Sequence, residues 1–119
     1  MAVTPRVFMA SKIIGNGVRN PQNEDLGKIE DIMLDLNTGR IGYAVLSFGG
    51  FLGMGDKLFA IPWSILKIDP DGDKFILDVP NEMLKNAPGF DRDTLPDLKD
   101  YGWQERVYAH YEVAPYWKR

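Results

Sequence analysis

The sequence has no cysteine. That excludes disulfide bridges, thiol redox chemistry and thiolate-held zinc. It has one histidine, His110, too few imidazoles for a histidine-based transition-metal site, and no serine or cysteine lies near it in sequence to form a triad. No run approaches the ~18 apolar residues of a membrane helix. The opening residues MAVTPRVFMASK lack the apolar core of a signal peptide. A cytoplasmic chain with no membrane insertion is therefore expected. Basic charge is also scarce: 14 lysines and arginines stand against 17 aspartates and glutamates, for a net charge of −3, and the cations never form a block. Non-specific nucleic-acid binding depends on clustered basic charge, so DNA is not an expected partner.

What is plentiful is punctuation. Twelve glycines and eight prolines in 119 residues favour many short elements over long helices, and the length fits one domain with its own core. The organising stretch runs from Leu26 to Trp63, LGKIEDIMLDLNTGRIGYAVLSFGGFLGMGDKLFAIPW. Its apolar runs 29–36, 41–48 and 58–61 are parted by the turn Asn37-Thr38-Gly39 and the glycine-rich segment 49–55. Such runs read as antiparallel strands joined by hairpins. Ile29 and Ile32 are three apart, whereas Ile32, Leu34 and Leu36 are two apart. A β-bulge near Glu30-Asp31 would bring all four onto one face. Asp35 to Gly39 reads as a type I turn with Gly39 in the left-handed position. The run 41–48 is apolar on both faces, so its second face needs a cover, either the C-terminal segment or another subunit. A short strand at Val18, a strand over 65–68 and a clearly alternating one over 74–79 complete a set of five or six.

After Pro80 the texture changes. Asn81 can cap a helix over 82–86, stopped by Pro88-Gly89. Trp103, Val107 and Tyr111, four apart, form an apolar helical stripe. Residues 101–117 hold four tyrosines and two tryptophans, large rings expected to lie against the strands or against a neighbouring copy.

Several features invite a chemical reading, and each has a plainer one. The segment 49–55 is rich in glycine but is followed by a strand and lacks Gly-Lys-Ser/Thr, so a hairpin loop outweighs a phosphate loop. Asp69, Asp71 and Asp73 imitate half of an EF-hand, but Lys74 and Pro80 stand where glycine and glutamate belong. Glu24, Asp25, Glu30 and Asp31 are read as solvated charges rather than acid–base pairs, since nothing places them in a cleft. The aromatic tail could stack bases, but it carries Asp97, Asp100, Glu105 and Glu112 where a basic groove would be needed.

Several phrases together resemble the PRC-barrel family: Leu26-Gly27-Lys28-Ile29-Glu30-Asp31, Asp35 to Gly39 followed by Arg40-Ile41-Gly42-Tyr43-Ala44-Val45, the loop Gly49-Gly50-Phe51-Leu52-Gly53, and Phe59-Ala60-Ile61-Pro62-Trp63. Leu84 to Phe90 and Pro115-Tyr116-Trp117 resemble the free-standing bacterial and archaeal members. The resemblance implies a small β-barrel used as an interaction module, with no family-wide catalytic residues. Other members include the cytoplasmic domain of the photosynthetic reaction-centre H subunit and a domain of a ribosome maturation factor. The membrane helix of the first and the extra N-terminal domain of the second are not expected here, so neither role carries over.

The expectation is thus a single all-β domain over 1–119, with a PRC-type barrel of five to six short antiparallel strands over 11–79 and a helical, aromatic extension over 80–119. It is expected to be non-enzymatic, without cofactor or metal, and to self-associate as a homodimer or bind an unidentified protein. The residues expected to contribute are Phe48, Phe51, Leu52, Met54, Trp63, Trp103, Tyr108, Tyr111, Tyr116 and Trp117. An RNA- or ribosome-associated factor and a small-ligand or ion-binding barrel are the alternatives.

Overall fold

The computed structural model describes residues 9–49, 56–68, 74–90 and 101–118. The elements in chain order are α1 (Ala10–Ile13), β1 (Gly17–Arg19), β2 (Asp25–Asp35), β3 (Arg40–Gly49), β4 (Asp56–Pro62), a 3-10 turn (Trp63–Ile65), β5 (Leu66–Ile68), β6 (Phe75–Leu77), α2 (Asn81–Lys85), β7 (Gly89–Phe90), α3 (Tyr101–His110) and a final 3-10 turn (Tyr116–Lys118).

The strands form one seven-stranded sheet in the order β5-β6-β1-β2-β3-β4-β7. This corrects the expected architecture in three ways. There are seven strands where five or six were expected. The pair β1–β6 is parallel, with Val18 beside Phe75 and Arg19 beside Ile76. And among the described residues the sheet is not closed into a barrel by hydrogen bonds, because β5 and β7 are outer strands.

The reason lies at the β4–β5 joint. β5 lies at one edge and β4 next to the other, yet only Trp63–Ile65 separates them in sequence. A connection that short spans at most about 14 Å, so the two ends of the sheet curl towards each other. The edge of β4 that a closing strand would use is partly taken by β7, with Leu58 opposite Phe90 and Phe59 opposite Gly89. Trp63 instead reaches towards the far end of the sheet and packs on Phe75 of β6, with ring centroids 6.0 Å apart. The result is barrel-like in curvature and open in hydrogen bonding.

The central hairpin follows the sequence closely. Between Ile29↔Leu46 and Asp31↔Val45 the β2–β3 register shifts by one, leaving Glu30 as the extra residue of a bulge. Ile29 and Ile32 accordingly both pack on the core. A second shift follows: Met33 faces Tyr43 but Leu34 faces Ile41, so Gly42 is extra on β3. The hairpin then runs on past the core, and Leu34 and Leu36 do not join Ile29 inside; they are 61% and 90% exposed. The turn is closed by Gly39 N–H donating to the Asp35 carbonyl (2.8 Å), with Gly39 at φ +73°.

β3 is buried from Gly42 to Phe48, and its second face is covered by the chain itself. Trp103 of α3 lies against Tyr43 (6.0 Å between centroids). The Tyr108 hydroxyl donates to the Gly42 carbonyl, and the ring of Tyr116 lies against the place where a Gly42 side chain would begin. In α3 the stripe Trp103, Val107 and Tyr111 meets the core, joined by the buried Gln104 and Tyr108 one position on. The helix ends in a Schellman turn. Val113 N–H donates to the Tyr108 carbonyl and Glu112 N–H to the Ala109 carbonyl (both 3.0 Å). Glu112 takes the left-handed conformation (φ +58°) that usually falls to glycine.

Candidate partner-binding surface

Of the ten residues expected to meet a partner, Phe51, Leu52 and Met54 lie outside the described residues. Phe48, Tyr108, Tyr111 and Tyr116 are buried in the chain's own interior, so their rings are already covered without a partner. Trp63, Trp103 and Trp117 are half-buried. Phe48 packs edge-on to Phe59 (6.2 Å), and Trp103 is held between Tyr43 and Phe90. These sites are structural neighbours of the core rather than parts of one surface.

Three of the ten do converge. Trp63, Tyr108 and Tyr116, with Arg40, Ile41 and Ser64, line an open cleft of about 620 Å³ at the hairpin end of the sheet. The cleft is built by a small aromatic stack. Trp117 lies edge-on to both Tyr108 (5.7 Å) and Tyr116 (5.1 Å), geometry that aligns the positive ring edge with the negative ring face. The tail is tied down by polar contacts at both ends of Tyr116. Its hydroxyl donates to the Asp35 carboxylate (2.5 Å), and its carbonyl accepts from the Arg40 guanidinium (2.8 Å). That hydroxyl, with the Asn37 amide, stabilises the charged form of Asp35 and lowers its pKa. Burial pushes the Tyr43 hydroxyl up to about 12.

Arg40 and Ile41 line this cleft without being among the ten, and the exposed Leu34 and Leu36 belong to the same hairpin. Leu34 is directly opposite the cleft-lining Ile41. Leu36 carries a visible signal in the sequence: a large aliphatic residue at the start of the turn, before Asn37-Thr38-Gly39, has no cross-strand partner to cover it.

The other chemical readings resolve into local structure. The Asn20 amide donates to Glu24 Oε1 (2.6 Å), and Glu24 N–H donates to Asn20 Oδ1 (2.9 Å), closing the turn after β1. Asp25 and Asp31 accept from the backbone amides of Gly27 and Ile32. His110 Nε2 meets the Met83 carbonyl at 2.8 Å, fixing α3 to α2. Among the described residues no three His, Asp or Glu gather as metal ligands. The acidic turn 69–73 and the glycine segment 50–55 lie outside the described residues. No helix among the described residues is long and apolar enough to cross a membrane.

One polar atom is out of place. The Tyr111 hydroxyl is buried with no hydrogen-bond partner among the described residues, and burial raises its pKa. Leaving such a group unpaired costs about 1 kcal/mol or more. Tyr111→Phe is therefore expected to stabilise the fold, raising the Tm by roughly 4 °C for a domain of this size. Thermal denaturation checks this; a fall in Tm would mean that the hydroxyl has a partner.

A curled all-β sheet with helices and an aromatic tail packed on one face defines the class. Within it, the family described as PRC-barrel domain matches residues 5–84, and the chain belongs to that family. No curated protein matches it.

Proposed function

We propose that this chain is a non-catalytic interaction module of the cytoplasm that self-associates as a homodimer through the hairpin end of its sheet. One observation carries the reading: Leu34 and Leu36 are large, aliphatic and exposed, and they belong to the same hairpin as the open aromatic cleft. A projecting knob and a ring-lined hole on one end of a molecule suit a two-fold contact, in which each copy's leucines enter the other's cleft. Fully burying a leucine contributes about 1.5–3 kcal/mol, and two from each copy give a reciprocal contact enough apolar area to offset part of the association entropy.

The test is size-exclusion chromatography with light scattering across a concentration series. The wild-type chain is expected to dimerise. Leu34→Glu/Leu36→Glu is expected to weaken dimerisation at least tenfold, about 1.4 kcal/mol, with an unchanged circular-dichroism spectrum. A wild-type chain that stays monomeric at high micromolar concentration overturns self-association. A dimer indifferent to the double variant overturns the assigned surface.

A further inference from the structure

A second cleft lies on the sheet away from the hairpin tip, and it is basic in a protein whose net charge is −3. It measures about 570 Å³ and is lined by Arg19, Lys28 and Lys74, by Asp25 and Ser47, and by Gly15, Gly17 and Gly27, with Val18 and Phe48 keeping their side chains in the core. The register brings the cations together from segments distant in sequence. Lys28 on β2 faces both Gly17 on β1 and Ser47 on β3. Period-two alternation then puts Arg19 on the same face as Gly17 and Lys28. Lys74 directly precedes Phe75, which pairs with Val18 of β1, so it joins the same face from the other side. Three cations thus meet one carboxylate among the described lining residues, and that carboxylate, Asp25, already accepts the Gly27 amide (2.9 Å). One guanidinium nitrogen of Arg19 donates to the Asn23 carbonyl (3.2 Å), which steadies its head at the rim. Room for a guest exists because nothing lies within 4 Å of where side chains of Gly15 and Gly17 would begin.

We propose that this cleft binds a small phosphate-bearing molecule whose phosphates are held by Arg19, Lys28 and Lys74. The charge selects an anion. Arg and Lys form their strongest hydrogen bonds with phosphate and carboxylate oxygens. The volume selects a compact guest, within the ~300–1,000 Å³ of ordinary small-molecule sites. The inference is independent of dimerisation, which uses the opposite end of β3.

ADP, inorganic pyrophosphate and adenosine serve as probes in isothermal titration calorimetry at low salt. ADP and pyrophosphate are expected to bind, and adenosine is expected not to bind. Raising the salt to about 0.5 M is expected to weaken ADP several-fold, because screening acts within a few ångströms at that strength. Lys28→Glu and Lys74→Glu are each expected to cost at least tenfold, while Lys67→Glu, on β5 and outside the cleft, leaves affinity within about twofold. Lys28→Gln replaces Lys28→Glu if circular dichroism shows the latter unfolded. No heat with ADP at millimolar concentration overturns the proposal. So does adenosine binding as tightly as ADP, or Lys67→Glu weakening ADP as much as Lys28→Glu.

Discussion

Gly27→Ala is expected to destabilise the domain by at least about 4 kcal/mol, a large share of the 5–15 kcal/mol that holds an ordinary domain together. Gly27 sits in β2 with φ +106°, a backbone conformation that alanine adopts only at a cost of about 1–2 kcal/mol. The steric term is larger. An alanine Cβ would stand 2.0 Å from the Ser47 carbonyl oxygen, 3.0 Å from its carbon and 3.3 Å from the Phe48 Cα. All three are backbone atoms of β3, so no side chain can swing aside. Relief requires β2 and β3 to part where Lys28 faces Ser47, in the middle of the sheet. Gly39→Ala is the control. It also has a positive φ, +73°, but nothing lies within 4 Å of its added methyl, so it is expected to cost only about 1 kcal/mol. Urea denaturation separates the two, since a stability loss lowers the midpoint at constant slope. Equal losses for the two variants would show that close approach at Gly27 contributes nothing.

That position also shows how far the sequence can be read. Gly27 and Glu30 lie three residues apart on one strand. The irregular spacing of Ile29, Ile32, Leu34 and Leu36 announces the bulge at Glu30, because a break in period two is visible in the pattern. It cannot announce the close approach at Gly27, which depends on which β3 carbonyl lies opposite. The Gly39 turn and the α3 stripe are legible for the same reason: each is set by residues within a few positions of one another. The two apolar faces of β3 foretell a cover, and α3 with the tail provides it. What escapes is non-local. The parallel pairing of β1 with β6 joins residues more than fifty positions apart, and the two-residue strand β7 is too short to carry a period. Leu34 and Leu36 read as core because they are apolar and in phase; they are exposed because the hairpin outruns the elements that could cover it. Tyr108 and Tyr116 show the same limit. Aromatic density marks them as contact residues, but not that α3 and the tail bury most of each ring against β3 and leave them lining the cleft.

Tyr108 is consequently where the tail's attachment can be measured. Its side chain is 1% exposed, its hydroxyl donates to the Gly42 carbonyl, and its ring touches both Tyr116 (6.4 Å) and Trp117 (5.7 Å). Tyr108→Ala removes the ring on which the stack rests and uncovers the face of β3 around Gly42. Large aromatic-to-alanine changes in a core cost about 3–5 kcal/mol, and about 4 kcal/mol is expected here. Tyr108→Phe keeps the ring and leaves only a carbonyl without its donor, for about 1 kcal/mol. Urea denaturation measures both, and tryptophan fluorescence supplies a second readout. Trp117 loses one of its two edge-on partners in Tyr108→Ala, so its emission is expected to shift to the red in that variant while Tyr108→Phe stays close to wild type. The uncovered face of β3 should also make Tyr108→Ala prone to association, which Leu34→Glu/Leu36→Glu in the same chain would not suppress, because the newly exposed surface is a different one. If Tyr108→Ala and Tyr108→Phe lose similar stability and emit alike, the ring is not what anchors the tail, and Arg40 and Asp35 must hold Tyr116 without it.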